Sequence, residues 1–267
     1  MSKFARSDVS LRHLVENSYK AIDQGAYQIK HPASTHNVIS LRNAISSCPR
    51  SPLITEVKFS SPSQGEIRKK IRPAVIAKQM AGSGAIGISI LTQPYLFDGS
   101  IEYFIAFRKA VTNIPLIMKD IIVSTVQVDA GKQAGADCIL LIKSVFDRDL
   151  AEDSMEKLAE YAKKRDLQVL AEVHTEEEFG EVLIAKYDLV GINNRNLDNL
   201  QVDITNTEKL LKKHNKGART IVSESGINRP ADIQYLRSVG ADAFLVGTSI
   251  MRARDIPGKI ARLYSAL

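Results

Sequence analysis

The sequence predicts an α/β protein, specifically a (β/α)8 TIM barrel with an N-terminal helical extension. Eight short, almost wholly apolar segments recur along the chain, and stretches with helical spacing lie between them. Near-continuous apolar runs are typical of strands that are buried on both faces of a parallel sheet. The eight segments are 53–59, 85–91, 115–120, 137–142, 168–173, 188–193, 220–225 and 242–247.

The order of these segments favours a closed barrel over an open doubly wound sheet. A strand followed by a helix recurs roughly every 20–30 residues, as in βα units. An eightfold series of such units is typical of a barrel. No Gly-x-Gly-x-x-Gly follows the first predicted strand, which argues against a dinucleotide-binding fold.

The chain is expected to form one domain over residues 1–267. This length is usual for a single α/β barrel. Residues 1–52 precede the first predicted strand, and so short a segment would be marginal as a domain of its own. We therefore expect an N-terminal extension over 1–52 that packs on a barrel formed by 53–267.

The composition is that of a globular protein from a reducing compartment. Hydrophobic residues make up 44% and charged residues 25% of the chain. Cys48 and Cys138 lack the spacing of a metal site and argue against a disulfide scaffold. The N-terminus lacks the apolar core of a signal peptide, and no segment approaches the ~18 apolar residues of a membrane span. These features predict a cytoplasmic protein without a membrane partner.

The net charge of +6 leaves two interpretations open. It fits a basic, well-solvated surface, and it also fits an anionic small-molecule substrate. No block of Lys and Arg with interleaved aromatic residues occurs, so a nucleic-acid partner is not expected. The sequence does not fix the oligomeric state, and a monomer or weak homo-oligomer is the expectation.

Ionisable residues collect where the predicted strands end. One charged residue there usually marks the point where the chain meets solvent. Two lysines and three glutamates at the same end of one barrel predict a shared pocket, because enzymes with this fold carry their chemistry at that end. The polar residues at the strand ends are Glu56, Lys58, Lys119, Asp120, Glu172, Asn193, Arg195, Glu224 and Ser225.

Two loops after the last strands suggest a phosphate site. The segments SESGI (223–227) and LVGTSI (245–250) each place Gly and hydroxyl residues just after a strand. In barrels of this type these loops often bind phosphate, although two tight turns would need glycine as well. The segment SSPSQG (60–65) could approach the same phosphate from the opposite side, or form a plain turn.

A longer set of segments resembles the indole-3-glycerol-phosphate synthase family of tryptophan biosynthesis. The similarity runs in order from residue 53 to about 260. The matching segments are EVKFSSPSQG (56–65), SILTQPYLFDGS (89–100), PLIMKDIIV (115–123), QAGADCILLI (133–142), AEVHTEEEF (171–179), VGINNRNLDNLQVD (190–203), VSESGI (222–227) and AFLVGTSIMRA (243–253).

This resemblance implies ring closure of 1-(2-carboxyphenylamino)-1-deoxyribulose 5-phosphate with loss of carbon dioxide and water. It implies no metal and no organic cofactor. Lys119 matches the family's general acid, Glu172 its acid/base in the dehydration, and Lys58 the lysine that contacts the substrate carboxylate. The resemblance leaves open how Lys58 and Lys119 divide the acid role in the dehydration. The matched supporting residues are Glu56, Asn193 and Glu224, and the matched substrate- and phosphate-contacting residues are Ser61, Phe97, Arg195, Ser225, Gly226, Gly247 and Thr248.

The chain departs from the family pattern at several positions near the predicted site. The departures are Ile121 for Phe, Phe59-Ser60 for basic residues, Gln93 for an acidic residue and Asn196 for Asp. None of them removes a matched catalytic residue. The pKa of Lys119 is left open, since burial and Lys58 would lower it whereas Glu56 and Glu224 would raise it.

Two other functions compete with this interpretation. A phosphoribosylanthranilate isomerase-like barrel would carry a cysteine at the end of the first strand, where this chain has Lys58. A barrel that binds a sugar phosphate without turnover would not need Lys58, Lys119 and Glu172 together. Formation of an indole product separates the first hypothesis from both alternatives.

Overall fold

Eight parallel strands close into a barrel in the part of the chain that the structure describes. The structure is a computed structural model, and it describes residues 11–33, 37–185 and 187–267. The barrel strands are β1 (Leu53–Val57), β4 (Gly87–Leu91), β5 (Leu116–Lys119), β6 (Cys138–Ile142), β7 (Gln168–Val173), β8 (Leu189–Asn193), β9 (Thr220–Glu224) and β10 (Ala243–Val246). The predicted barrel is confirmed, with neighbouring strands in the order β1-β10-β9-β8-β7-β6-β5-β4.

A small hairpin follows the first barrel strand. Strands β2 (Ser60–Ser61) and β3 (Gly65–Glu66) pair in antiparallel fashion within the segment expected to be a loop. Ile67 N–H donates to the carbonyl of Phe59 at 2.7 Å and holds the hairpin against the end of β1. This hairpin carries Ser61 to the same end of the barrel as Glu56.

The register of the strands brings distant polar residues to one level. Asn193 on β8 lies opposite Glu224 on β9. Glu172 on β7 lies opposite Ile142 on β6 and Gly191 on β8. Since all barrel strands are parallel, their carboxyl ends meet at one face, and the last residues of each strand converge there.

Helices cover the outside of the barrel, and most begin at a capping side chain. The hydroxyls of Ser100, Ser124, Ser154 and Thr175 each accept from an N–H in the first turn of the following helix. The helices are α1 (Leu11–Asp23), α2 (Leu41–Ser46), α3 (Pro73–Ala81), α4 (Pro94–Phe97), α5 (Ile101–Ala110), α6 (Thr125–Ala134), α7 (Lys143–Asp147), α8 (Met155–Lys163), α9 (Glu176–Ile184), α10 (Asn206–Lys213), α11 (Pro230–Ser238), α12 (Thr248–Met251) and α13 (Ile256–Tyr264).

Residues before the first strand contact both ends of the barrel. At the amino end of the strands, the N–H groups of Ile39 and Leu41 donate to the side chains of Asp137 and Gln168. At the other end, the Tyr19 hydroxyl donates to the carbonyl of Leu150 at 3.1 Å. Buried side chains of α1 and α2 also join the apolar cluster inside the barrel.

The two cysteines are unpaired thiols. Cys138 is fully buried inside the barrel, where burial raises the pKa of its thiol. Cys48 is half-buried in a cleft at the amino end of the strands. In the described ranges, none of the helices has both the length and the hydropathy needed to cross a membrane.

Candidate active site

A cavity of about 470 Å³ opens at the carboxyl ends of the strands. Every residue predicted for the site lines it, although the residues come from most of the barrel strands and the loops that follow them. Within the described residues, no group of three or more His, Cys, Asp and Glu is arranged to hold a metal ion. The predicted residues in the lining are Glu56, Lys58, Ser61, Phe97, Lys119, Glu172, Asn193, Arg195, Glu224, Ser225, Gly226, Gly247 and Thr248.

Lys119 and Glu172 form an ion pair at the base of the cavity. Lys119 Nζ lies 2.8 Å from Glu172 Oε2 and 3.5 Å from Glu224 Oε2. Asn193 Nδ2 donates to the other oxygen of Glu172 at 2.8 Å. Both oxygens of Glu172 are therefore held, so its carboxylate faces Lys119 in a fixed orientation.

A second ion pair stands beside the first. Lys58 Nζ lies 2.8 Å from Glu56 Oε1, and the Glu56 side chain is almost fully buried. Burial alone would raise the pKa of Glu56, but Lys58, Lys119 and then Arg195 lower it below its usual range. Glu56 is therefore ionised near neutral pH and anchors Lys58 at the wall of the cavity.

The structure decides the pKa balance that the sequence left open for Lys119. Burial lowers the pKa of Lys119, but the carboxylates of Glu172, Glu224 and Glu56 outweigh burial and raise it above its ordinary value. The ammonium group is thus protonated at neutral pH. It can give a proton only when the acceptor develops negative charge or when the neighbouring carboxylates are neutralised.

Two glycines leave the space that the carboxylates occupy. A Cβ atom at Gly191 would lie 2.2 Å from Glu224 Oε1, and one at Gly247 would lie 2.5 Å from Glu56 Oε1. Any other residue at either position would displace a carboxylate. Gly247 was predicted as a phosphate contact, and packing against Glu56 is a further reason for glycine at this position.

The loops after β9 and β10 form the rim of the cavity. Ser225 and Gly226 have φ values of 68° and 85°, a left-handed turn in which a residue other than glycine is strained. Thr248 begins the short helix α12, whose first N–H groups have no acceptor within the helix. Both loops therefore contribute hydroxyl and N–H groups to the lining of the cavity at its rim.

Arg195 is a half-buried residue of the cavity lining. Its guanidinium donates to the carbonyl of Leu200 at 2.8 Å. Burial lowers the pKa of Arg195, and Glu56 opposes this shift. The Arg195 N–H also donates to Asn193 Oδ1 at 2.9 Å, so this loop orients the amide that holds Glu172.

The structure adds residues that the sequence argument did not place in the site. Leu14 of α1 and Arg252 line the cavity, and so does Gln93, which the sequence named only as a departure from the family pattern. Gln93 caps α4 by accepting from Leu96 N at 3.0 Å, which fixes the short helix that ends at Phe97. Leu14 gives no local sequence signal, because an apolar residue on an amphipathic helix is expected at any buried interface.

The departures from the family pattern fall in different surroundings. Ile121 and Gln93 line the cavity. Phe59 instead packs edge-on against Tyr103 in the core, with ring centroids 5.3 Å apart. Asn196 accepts from the N–H of Asp198 at 2.8 Å in an exposed turn and is not part of the cavity lining. Only the first two are placed to alter substrate contacts.

The pH dependence of turnover is expected to report Glu224. Burial raises its pKa to about 8, against the influence of Lys119 and with further increases from Glu172 and Glu56. Above that pH the ionised carboxylate makes Lys119 a weaker acid and adds a negative charge to the cavity. We expect kcat/KM to fall as pH rises through about 8 in the wild-type protein.

The Glu224→Gln variant tests this assignment. An amide keeps the volume but does not titrate, so the step near pH 8 should be absent from its pH–rate profile. The profile should be measured for the wild-type protein and the variant in the same series of buffers, with the melting temperature of each followed in parallel. An unchanged step in the variant would assign the titration to another group.

The fold and the cavity define the class of protein: a (β/α)8-barrel enzyme with a lysine–glutamate ion pair in a cavity at the carboxyl ends of its strands. Solved structures support the fold alone. 3-Hexulose-6-phosphate synthase from Salmonella typhimurium matches with a TM-score of 0.63 at 15% identity, over 81% of this chain and 98% of that one. Thiamine phosphate pyrophosphorylase from Pyrococcus furiosus matches with a TM-score of 0.60 at 17% identity, over 85% and 97%.

Sequence comparison gives the family. The family model for indole-3-glycerol phosphate synthase matches residues 10–263. The indole-3-glycerol phosphate synthase of Polaromonas sp. is 40% identical over 86% of this chain and 85% of its own length. That of Azospirillum brasilense is 40% identical over 76% of each chain. The chain belongs to the indole-3-glycerol phosphate synthase family, carboxy-lyases of tryptophan biosynthesis that act on a phosphate-bearing small molecule.

Proposed function

We propose that this cavity converts 1-(2-carboxyphenylamino)-1-deoxyribulose 5-phosphate into indole-3-glycerol phosphate. The observation that carries the proposal is the Lys119–Glu172 pair, held at 2.8 Å in one cavity with the rim of hydroxyl and N–H donors. The cavity provides an acid for the carbonyl, a carboxylate for the later proton transfers and donors for the phosphate. These are the groups that the reaction requires.

Lys119 is assigned to ring closure. Attack of the aromatic carbon on the ketose carbonyl places negative charge on the carbonyl oxygen, and a nearby ammonium both stabilises and protonates it. Loss of carbon dioxide then restores the aromatic ring. Because the pKa of Lys119 is raised, its proton is present in the resting enzyme at neutral pH.

Glu172 is assigned to the dehydration. The new hydroxyl group leaves as water after it receives a proton, and a base removes a proton from the neighbouring methylene carbon, which forms the carbon–carbon double bond of the indole. Glu172 lies beside Lys119 and is held by Asn193, so it can exchange protons within the same pocket. Lys58, anchored by Glu56, is assigned to the substrate carboxylate until that group leaves.

The remaining lining fits the two ends of the substrate. Leu14, Phe97 and Ile121 offer an apolar surface for the aromatic ring. Ser61, Ser225, Gly226, Gly247 and Thr248 are assigned to the sugar phosphate. Arg195 is assigned to substrate contact through its position next to Glu56.

The proposed assembly and location follow from other features. We propose one domain over 1–267, acting as a monomer or weak homo-oligomer without a nucleic-acid partner. The contacts of α1 and α2 with both ends of the barrel support the single domain. The unpaired thiols of Cys48 and Cys138 support a reducing, cytoplasmic location.

Product fluorescence in the presence of the anthranilate-derived substrate tests the function. The wild-type protein should form an indole, whereas Glu172→Gln should be slowed by at least about 10²-fold because the amide cannot exchange a proton. The substrate should still bind to the variant. Binding by the wild-type protein without product would favour a non-catalytic sugar-phosphate barrel, and turnover of phosphoribosylanthranilate instead would favour the isomerase alternative.

A further inference from the structure

A buried hydrogen-bond network joins the extension before the barrel to the strand that carries Lys119. Tyr27 follows α1 and is 5% exposed. Its hydroxyl donates to Asp120 Oδ2 at 2.8 Å, across 93 positions of sequence. Asp120 is the residue directly after Lys119 and is itself 2% exposed. The contact therefore reaches the end of β5 from outside the barrel.

Asp120 is held by three donors. Besides Tyr27, the Thr92 hydroxyl donates to Oδ2, and the N–H of Ile121 donates to Oδ1 at 2.8 Å. The Thr92 N–H also donates to the carbonyl of Lys119 at 3.2 Å. The network thus fixes the backbone that directly follows Lys119, and the position of that backbone helps to set where its ammonium group points.

The Tyr27 hydroxyl also accepts a hydrogen bond of its own. Gln127 Nε2 donates to the Tyr27 hydroxyl at 3.3 Å and to the carbonyl of Ile121 at 2.9 Å. The N–H of Val123 donates to Gln127 Oε1 at 2.8 Å. Since Tyr27, Asp120 and Gln127 are all buried, each polar group depends on the others for its partners.

The turn that brings Tyr27 inward is set by the chain after α1. Gly25 has a φ of 73°, the left-handed conformation that glycine adopts without strain. The Gly25 N–H donates to the carbonyl of Ile22, and Ala26 N–H donates to that of Ala21, which closes the end of the helix. The chain then turns so that Tyr27 packs into the core.

We propose that Tyr27 is a positioning residue for Lys119: its hydroxyl holds Asp120 and, through Asp120, the end of β5 from which Lys119 enters the cavity. The inference rests on the proposed role of Lys119. It assigns the extension a part in the reaction, although Tyr27 is absent from the cavity lining and touches no substrate. Small displacements of a catalytic group cost rate rather than substrate affinity when binding is made elsewhere in the site.

The Tyr27→Phe variant removes only the hydroxyl and tests the proposal. We expect kcat to fall by about tenfold while KM stays within about twofold, because the phosphate and aromatic contacts are untouched. The matched control is Tyr161→Phe. Tyr161 on α8 donates to Asp129 Oδ2 at 2.9 Å, a similar tyrosine–carboxylate bond remote from the cavity, and its loss should leave kcat unchanged.

The Asp120→Asn variant alters the acceptor of the Tyr27–Asp120 hydrogen bond while keeping the volume of the side chain. It should lower kcat at least as much as Tyr27→Phe. In the double variant Tyr27→Phe/Asp120→Asn, kcat should be within about twofold of that of Asp120→Asn alone, since both changes break one link. Melting temperatures of all four variants show whether any loss of kcat comes from unfolded protein.

The outcomes separate this inference from the proposed function. An active wild-type protein with normal kcat in Tyr27→Phe overturns the inference and leaves the function intact. If the loss of kcat in the double variant equals the product of the losses in the two single variants, Tyr27 does not act on Lys119 through Asp120. A wild-type protein that forms no indole product contradicts the proposed function itself, whatever the behaviour of the variants.

Discussion

The Lys119→Met variant is expected to lose about a thousandfold in kcat, the largest effect on activity among the substitutions considered. Methionine has similar length and shape but carries no proton, so the ketose oxygen loses both its acid and its cation. General acid catalysis by a positioned side chain contributes about 10²–10⁴-fold. The geometry puts this proton at the centre of the site, 2.8 Å from Glu172 Oε2.

Single-turnover and steady-state rates of indole formation measure the effect. Removing the cation also takes away the positive charge that lowers the pKa of Glu224, so that pKa should rise further. Substrate affinity, measured by fluorescence quenching or by calorimetry, should change much less than kcat. Near-normal turnover in a folded Lys119→Met protein would remove Lys119 from the acid role.

The Arg108→Met variant is expected to lower the free energy of unfolding by about 3–5 kcal/mol, the usual cost of breaking a buried ion pair from one side. Arg108 on α5 is 3% exposed and lies 2.8 Å from Asp137 Oδ2. Its guanidinium also donates to the carbonyls of Val111 and Ile114, each at 2.8 Å. The substitution leaves these groups buried with fewer donors.

Denaturant unfolding gives the comparison with a matched control. Arg148 forms a bidentate pair with Asp198, at 2.9 and 2.7 Å, but both side chains are about half exposed to solvent. Arg148→Met should therefore cost less than about 1 kcal/mol. Equal losses in the two variants would mean that burial does not set the energy of the Arg108 pair.

The barrel could be predicted because its strands appear in the sequence as short, mostly apolar runs at regular spacing. Apolar residues predominate in the segments 137–142 and 168–173, and the strands Cys138–Ile142 and Gln168–Val173 lie within them. Short elements were missed: the hairpin of β2 and β3 lies in a loop rich in serine, where local preferences are weak. Helix α12 spans four residues, too few for helical spacing to show.

The site could be predicted in part for a different reason. Residues at the strand ends converge in any parallel barrel, so Lys58, Lys119 and Glu172 were expected to meet before any distance was known. The pKa of Lys119 could not be predicted, because it depends on the distances to three carboxylates. Tyr27 and Leu14 were missed because their positions depend on how the extension packs, which no local pattern encodes.

The barrel closes between β1 and β10, so the edge of the first strand stays unpaired until the last strand is in place. Leu53, Ile54 and Thr55 pair with Phe244, Leu245 and Val246, which follow more than two thirds of the chain length later. A nascent chain that has not yet released residues 243–246 from the ribosome leaves β1 and β9 each with an open edge. Such edges invite pairing with other chains, so incomplete translation products of this protein are prone to aggregate.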